Sequence, residues 1–242
     1  MAIGEETRGQ VARTMAGAEA VEIKATIPES QIDLAMELYK LSLDDNERYV
    51  YFFDTPELEL FETGIIARAR RIVGSNHDST IKFRPIVPES VPAIWRKYGG
   101  FKVEADASDK GVIKSASLTM PVSKGLIKRV AAGKDPIASL FTQEQLLFLL
   151  SMANKKIDYE KVVVFGPMRA WRWKYNDPAL PWPLTGELWR RDDGARIFEV
   201  SIKAPVIQAA AATAGFMAYL GEVGAKRDDG QQAKTRWALA HR

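Results

Sequence analysis

Five short stretches of this chain repeat one rule: apolar side chains on one face, charged side chains on the other. In Val21 to Ile27, Val21, Ile23, Ala25 and Ile27 alternate with Glu22, Lys24 and Thr26. In Ile65 to Arg71, Ile65, Ala67 and Ala69 alternate with Ile66, Arg68 and Arg70. Thr80 to Pro85 sets Ile81 and Phe83 against Thr80, Lys82 and Arg84. Phe101 to Ala107 sets Phe101, Val103, Ala105 and Ala107 against Lys102, Glu104 and Asp106. Phe198 to Lys203 sets Phe198, Val200 and Ile202 against Glu199, Ser201 and Lys203. A period of two marks a strand with one buried and one polar face. For a single strand, the polar face simply meets water. Five such strands allow a second arrangement, in which the sheet curls closed with helices outside and the charged faces inside. On residues alone, an open sheet with surface ion pairs and a closed barrel with a charged hollow stand level.

The charged faces decide what a closed hollow would need. They carry seven cations (Lys24, Arg68, Arg70, Lys82, Arg84, Lys102, Lys203) and four anions (Glu22, Glu104, Asp106, Glu199). Two like charges ~4 Å apart repel by ~4 kcal/mol at an effective dielectric of 20. Such a cavity therefore calls for its own acids, water and a bound anion. Arginines suit bidentate contact with phosphate oxygens, and lysines supply compact point charges. Carboxylates beside phosphate suit a bridging Mg²⁺ or Mn²⁺. The expectation is an oligophosphate held by basic strands, with metal on the acidic side.

Composition narrows the alternatives. The 242 residues are 46% hydrophobic and 27% charged, which excludes a disordered or collagen-like chain. Cysteine is absent, so disulfides and thiolate metal sites are out. The two histidines, His77 in a polar turn and the penultimate His241, disfavour a zinc centre or a Ser-His-Asp triad. A net charge of +3 leans only weakly toward anionic partners. No apolar leader opens the chain, and the longest uncharged helical run, Pro205 to Leu220, falls short of the ~20 residues a membrane span needs. These features predict a cytoplasmic protein with no membrane partner. Residues 1–18 read as a flexible tail and 19–242 as a single domain.

Helix signals fall in four places. Ser30 and Asp33 resemble a capping box opening a helix through Leu41, and Val122 to Ala132 is basic and amphipathic. Thr142 and Gln145 cap an apolar helix through Leu150, and the Ala-rich run from Pro205 follows, with proline suited to a first turn. No Gly-x4-Gly-Lys-Ser/Thr loop is present, which argues against an ordinary nucleotide-loop enzyme.

The succession Val21-Glu22-Ile23-Lys24, Tyr51-Phe52-Phe53-Asp54-Thr55-Pro56, Gly64 with Arg68-Ala69-Arg70, Thr80-Ile81-Lys82-Phe83-Arg84, Glu104-Ala105-Asp106 and Glu199-Val200-Ser201-Ile202-Lys203 resembles the CYTH superfamily of triphosphate tunnel metalloenzymes. It does so in the family's order, from Val21 to Lys203. Two positions depart from the pattern: Ala20 replaces the first acid of Glu-x-Glu-x-Lys, and Ser201 stands where a second late acid is often seen. A further basic strand is expected over Phe165 to Tyr175, where Arg169 and Arg172 belong to opposite parities and the inward set stays open; Arg190 is a weaker inward candidate.

The resemblance implies an α+β fold, a closed antiparallel β-barrel with a charged interior and helices packed outside. It implies that Lys24, Arg68, Arg70, Lys82, Arg84, Arg169, Arg172 and Lys203 bind a triphosphate, and that Glu22, Glu104, Asp106 and Glu199 hold Mg²⁺ or Mn²⁺. Lys24 and Glu22 become the catalytic candidates. The partner implied is a small anionic triphosphate. Three readings follow: a metal-dependent triphosphatase, a non-catalytic binder of polyphosphate or nucleotide, and, least favoured, a nucleic-acid-binding module. Loss of acids at 20 and 201 favours phosphate binding over turnover.

Overall fold

The structure, a computed structural model, describes residues 17–108, 111–153, 158–225 and 234–240. Most of the expected tail, and His241, lie outside them. The strands are β1 (Ala20–Ile27), β2 (Glu47–Asp54), β3 (Ile65–Ile72), β4 (Asp78–Phe83), β5 (Phe101–Ser108), β6 (Gly111–Pro121), β7 (Val163–Tyr175), β8 (Leu184–Arg190) and β9 (Arg196–Pro205). They close into a barrel in the order β1-β5-β6-β4-β3-β2-β7-β8-β9. All neighbours run antiparallel except β1 and β5, which run parallel. This exception is forced by arithmetic, because directions cannot alternate all the way round a ring with an odd number of strands.

The helices are α1 (Ile32–Leu38), α2 (Glu59–Glu62), α3 (Lys124–Ala131), α4 (Gln143–Met152), α5 (Ala209–Glu222) and α6 (Lys234–Leu239). The alternation places the apolar faces outward, where helices cover them. Val21, Ile23, Val200 and Ile202 bury against α5 through Ala212 and Phe216. Ile81, Phe83 and Leu118 bury against α3 and α4 through Ile127 and Phe148. A third apolar cluster lies inside the barrel, at one end. Val50, Phe52, Met168, Ala170, Trp189 and Ile197 meet Ala238 and Leu239 of α6 there. None of the described helices is long and apolar enough to cross a membrane.

Local signals explain most boundaries. The Thr142–Gln145 capping box forms: Thr142 Oγ1 accepts from Gln145 N–H, and Gln145 Oε1 accepts from Thr142 N–H. Ser123 caps α3. The Ser30–Asp33 box does not form. Ser30 is drawn into a 3-10 turn after Pro28, α1 starts at Ile32, and Asp33 pairs with Arg196 of β9 instead. Pro205 starts a 3-10 turn, Val206–Gln208, before α5 begins. Asp54, in the most specific motif, works structurally. Its carboxylate accepts from the backbone N–H groups of Thr55, Leu60 and Phe61 at 2.7, 2.8 and 2.9 Å, fixing the turn into α2.

Two glycines matter to the site. Gly64 has φ +81°, and a Cβ there would lie 2.7 Å from the Arg84 carbonyl oxygen; Arg84 N–H in turn donates to Gly64 O at 2.8 Å. This close approach holds Arg84 at the end of β4. Gly166 (φ +103°) sits where the β2–β7 register shifts, and a Cβ there would meet Val50 O at 2.8 Å.

Candidate functional site

The charged faces converge. Glu22 and Lys24 of β1, Arg68 and Arg70 of β3, Lys82 of β4 with Arg84 just beyond it, Glu104 and Asp106 of β5, and Glu199, Ser201 and Lys203 of β9 all line the hollow. The pairings Glu22↔Asp106, Glu22↔Lys203 and Arg68↔Thr80 fix them there. Strand parity adds Arg48 of β2, Asp78 of β4, Arg172 of β7 and Glu187 of β8, while α6 delivers Lys234.

Asp106 is the hub. Its Oδ1 lies 2.8 Å from Lys24 Nζ, and its Oδ2 lies 3.4 Å from Arg84 Nη1 and 3.9 Å from Lys82 Nζ. Burial alone would raise this carboxyl; Lys24, Lys82 and Arg84 overcome it and hold the group well below the usual carboxylate range. Lys24 also contacts Glu22 at 2.9 Å, and Ser201 Oγ donates to Glu22 Oε1 at 3.3 Å. Burial works against the Lys24 ammonium, but Glu199, Glu22 and Asp106 outweigh it and raise its pKa.

Lys82 behaves differently. Burial, offset only in part by Asp106 and deepened by Lys24, Arg68 and Arg84, pulls it down to about 8. Burial, with Arg70 beside it, pulls Arg68 down to about 10. The Nε atoms of Arg48 and Arg68 are buried with no acceptor among the described residues. Cations thus exceed the acids in reach on this wall.

Farther in, the charges are matched. Arg70 forms a bidentate pair with Asp78 at 2.9 and 2.8 Å. Arg172 Nε lies 2.9 Å from Glu187 Oε1. Lys234 contacts Glu187 and lies 2.8 Å from Glu199 Oε1. Burial opposes the Glu187 carboxylate, yet Lys234 and Arg172 hold its pKa far down. At the mouth, Lys203 Nζ lies 2.5 Å from Glu104 Oε1.

Two basic candidates stand elsewhere. Arg169 lies on the outer face of β7, opposite Tyr49; its Nε donates to Glu47 Oε1 at 2.8 Å, and its guanidinium lies 5.0 Å from the Trp171 ring. Arg190 pairs with Arg169 in register and shares that outer face. Of the open pair, Arg172 is the inward residue. The four expected metal ligands do not gather: among the described residues, no three acids are placed to hold an ion. Glu22 and Asp106 are taken by Lys24, Glu104 by Lys203 and Glu199 by Lys234. The donor set as arranged does not fit a divalent cation.

Sequence reasoning missed Arg48, Asp78, Glu187 and Lys234. Alternation of Thr185, Glu187 and Trp189 against Leu184, Gly186 and Leu188 was a usable signal for β8. Arg48 shares its inward face with Val50 and Phe52, which hides it in an apolar run.

No protein-family model and no curated protein matches the sequence. Solved structures do match. One is an adenylyl cyclase candidate from Hippeastrum with a dominant triphosphatase activity: TM-score 0.65, 16% identity, covering 90% of this chain and 94% of that one. Another is an adenylate cyclase candidate from Bacillus halodurans: TM-score 0.61, 14% identity, covering 91% and 97%. At such identities the likeness speaks to fold. A ring of nine strands around a charged hollow, helices packed on its outer face with α6 set into one end, and these two neighbours together give this chain the CYTH-type tunnel fold.

Proposed function

We propose that the hollow binds a triphosphate-bearing anion, inorganic or organic, and hydrolyses its terminal phosphoanhydride. The observation that carries this reading is the wall of Arg68, Lys82 and Arg84, in which Lys82 and Arg84 share the single carboxylate of Asp106 and the buried Arg68 Nε finds no acceptor among the described residues. A string of phosphate oxygens would satisfy that donor and favour the charged form of Lys82. The triphosphatase activity of the Hippeastrum protein supports the same ligand class.

In this reading Arg68, Lys82 and Arg84 grip the phosphates and meet the charge that develops on the leaving diphosphate. Water forms the new P–O bond as the bridging P–O bond breaks, and its proton passes to the released phosphate or to solvent. Lys24, held as an ammonium between Glu22 and Asp106, orients the terminal phosphate. The non-catalytic binder is the second reading, favoured by Ala20 and Ser201, which remove two acids from the hollow.

The test is phosphate release from tripolyphosphate, ATP, thiamine triphosphate and long-chain polyphosphate, with Mg²⁺, Mn²⁺ or EDTA. Release that Lys82→Ala and Arg68→Ala abolish supports the hydrolase. Thermal stabilisation without release supports the binder. Neither response to any of the four overturns both.

A further inference from the structure

Each acid expected to hold a metal already meets a cationic side chain of the chain itself. Lys24 bridges Glu22 and Asp106 at 2.9 and 2.8 Å. Lys234 bridges Glu187 and Glu199. The second bridge is a built seat. Ala238 and Leu239 are buried against Val50, Phe52 and Trp189, which anchors α6 so that its first residue reaches both carboxylates. The ammonium also lies 5.5 Å from the Trp189 ring.

Charge counting agrees. The inward side chains named above comprise nine cations and six acids. A divalent ion would add to an excess that is already positive. It would also need several oxygens in near-octahedral order, whereas an ammonium needs only acceptors around three rotatable N–H donors.

We infer that this tunnel neutralises its acids with resident ammonium groups, Lys24 and Lys234, in place of a divalent metal, and that it takes its triphosphate ligand without one. The first half stands on the acid pairs alone; the second rests on the proposed triphosphate reading.

The experiment has two arms on the full chain. In the first, Mn²⁺ alone is titrated and the free ion is followed by electron paramagnetic resonance. The wild type is expected to leave Mn²⁺ free. Lys234→Met, which keeps the stem and uncovers Glu187 and Glu199, is expected to bind it at least about tenfold more tightly. Lys24→Met, which uncovers Glu22 and Asp106, serves equally should loss of Lys234 unseat α6. Wild-type affinity equal to that of the folded variants overturns the inference. In the second arm, tripolyphosphate binding is measured by calorimetry in EDTA and in Mg²⁺. Equal or tighter binding in EDTA supports the inference; weakening in EDTA by more than about threefold overturns it. Failure to bind in both buffers removes the triphosphate reading, and the manganese arm still decides the ammonium assignment.

Discussion

Lys203 of β9 reaches across β1 to Glu104 of β5, closing Nζ to 2.5 Å from Oε1 at the level of Ala20 and Glu22. Ala20, paired in register with Glu104, presents only a methyl group beside this contact. A glutamate at 20 would stand beside Glu104 and compete for the same ammonium.

That pair sits at an exposed mouth, with the Lys203 side chain 51% accessible. Exposed ion pairs contribute ~0–1 kcal/mol. Lys203→Ala is expected to shift the melting temperature by less than about 3 °C while weakening tripolyphosphate binding severalfold. Differential scanning fluorimetry with and without ligand separates the two effects.

Asp106 holds three cations, and its side chain is only 6% accessible. Removing one partner of a buried charged cluster costs ~3–5 kcal/mol. Asp106→Asn is expected to lose about that much in urea unfolding. Tripolyphosphate should recover much of the loss, since phosphate oxygens can take over the stranded cations. A variant as stable as wild type would deny Asp106 its place as hub.

Lys82 sets a pH dependence. Its folded pKa of about 8 lies below its ordinary 10.5. Between those values the unfolded chain holds the extra proton, so this group's contribution to stability rises with pH across that window. Ligand binding runs the other way, because phosphate needs the ammonium. Tripolyphosphate affinity is expected to fall as pH rises through about 8, and Lys82→Arg should flatten the profile. Calorimetric titrations from pH 6.5 to 9.5 would show the break or its absence.

Gln145 ties α4 to the barrel. Beyond the capping box, its Nε2 donates to Ser79 O and Leu118 O at 3.0 Å each, and its Oε1 accepts from Ser79 Oγ. Thr142→Ala is expected to cost ~1 kcal/mol. Gln145→Ala strands several buried groups at ~1–3 kcal/mol each and should cost clearly more. Equal losses in urea unfolding would mean that the cap alone matters.

The inward faces of β1, β3, β4, β5 and β9 were legible because period-2 alternation survives wherever both faces keep their character. The signal failed where that condition failed. On β7 the register shift opposite Gly166 breaks the count, and Arg169 shares the outer face with Trp171 and Trp173, so polarity no longer marks direction. On β2, Val50 and Phe52 face inward against α6 and erase the contrast. Lys234 could not be read at all, since a helical residue 29 positions past the end of β9 enters the hollow only through tertiary packing. Glu22, Glu104, Asp106 and Glu199 were legible as inward acids, but their pairing was not, because pairing depends on which lysine reaches across which strand.

The seating of α6 against Val50, Phe52 and Trp189 gives the hollow a floor. On the proposed reading, that apolar end offers a phosphate chain no counter-charge, so a long polymer would be gripped by a terminus from the charged mouth.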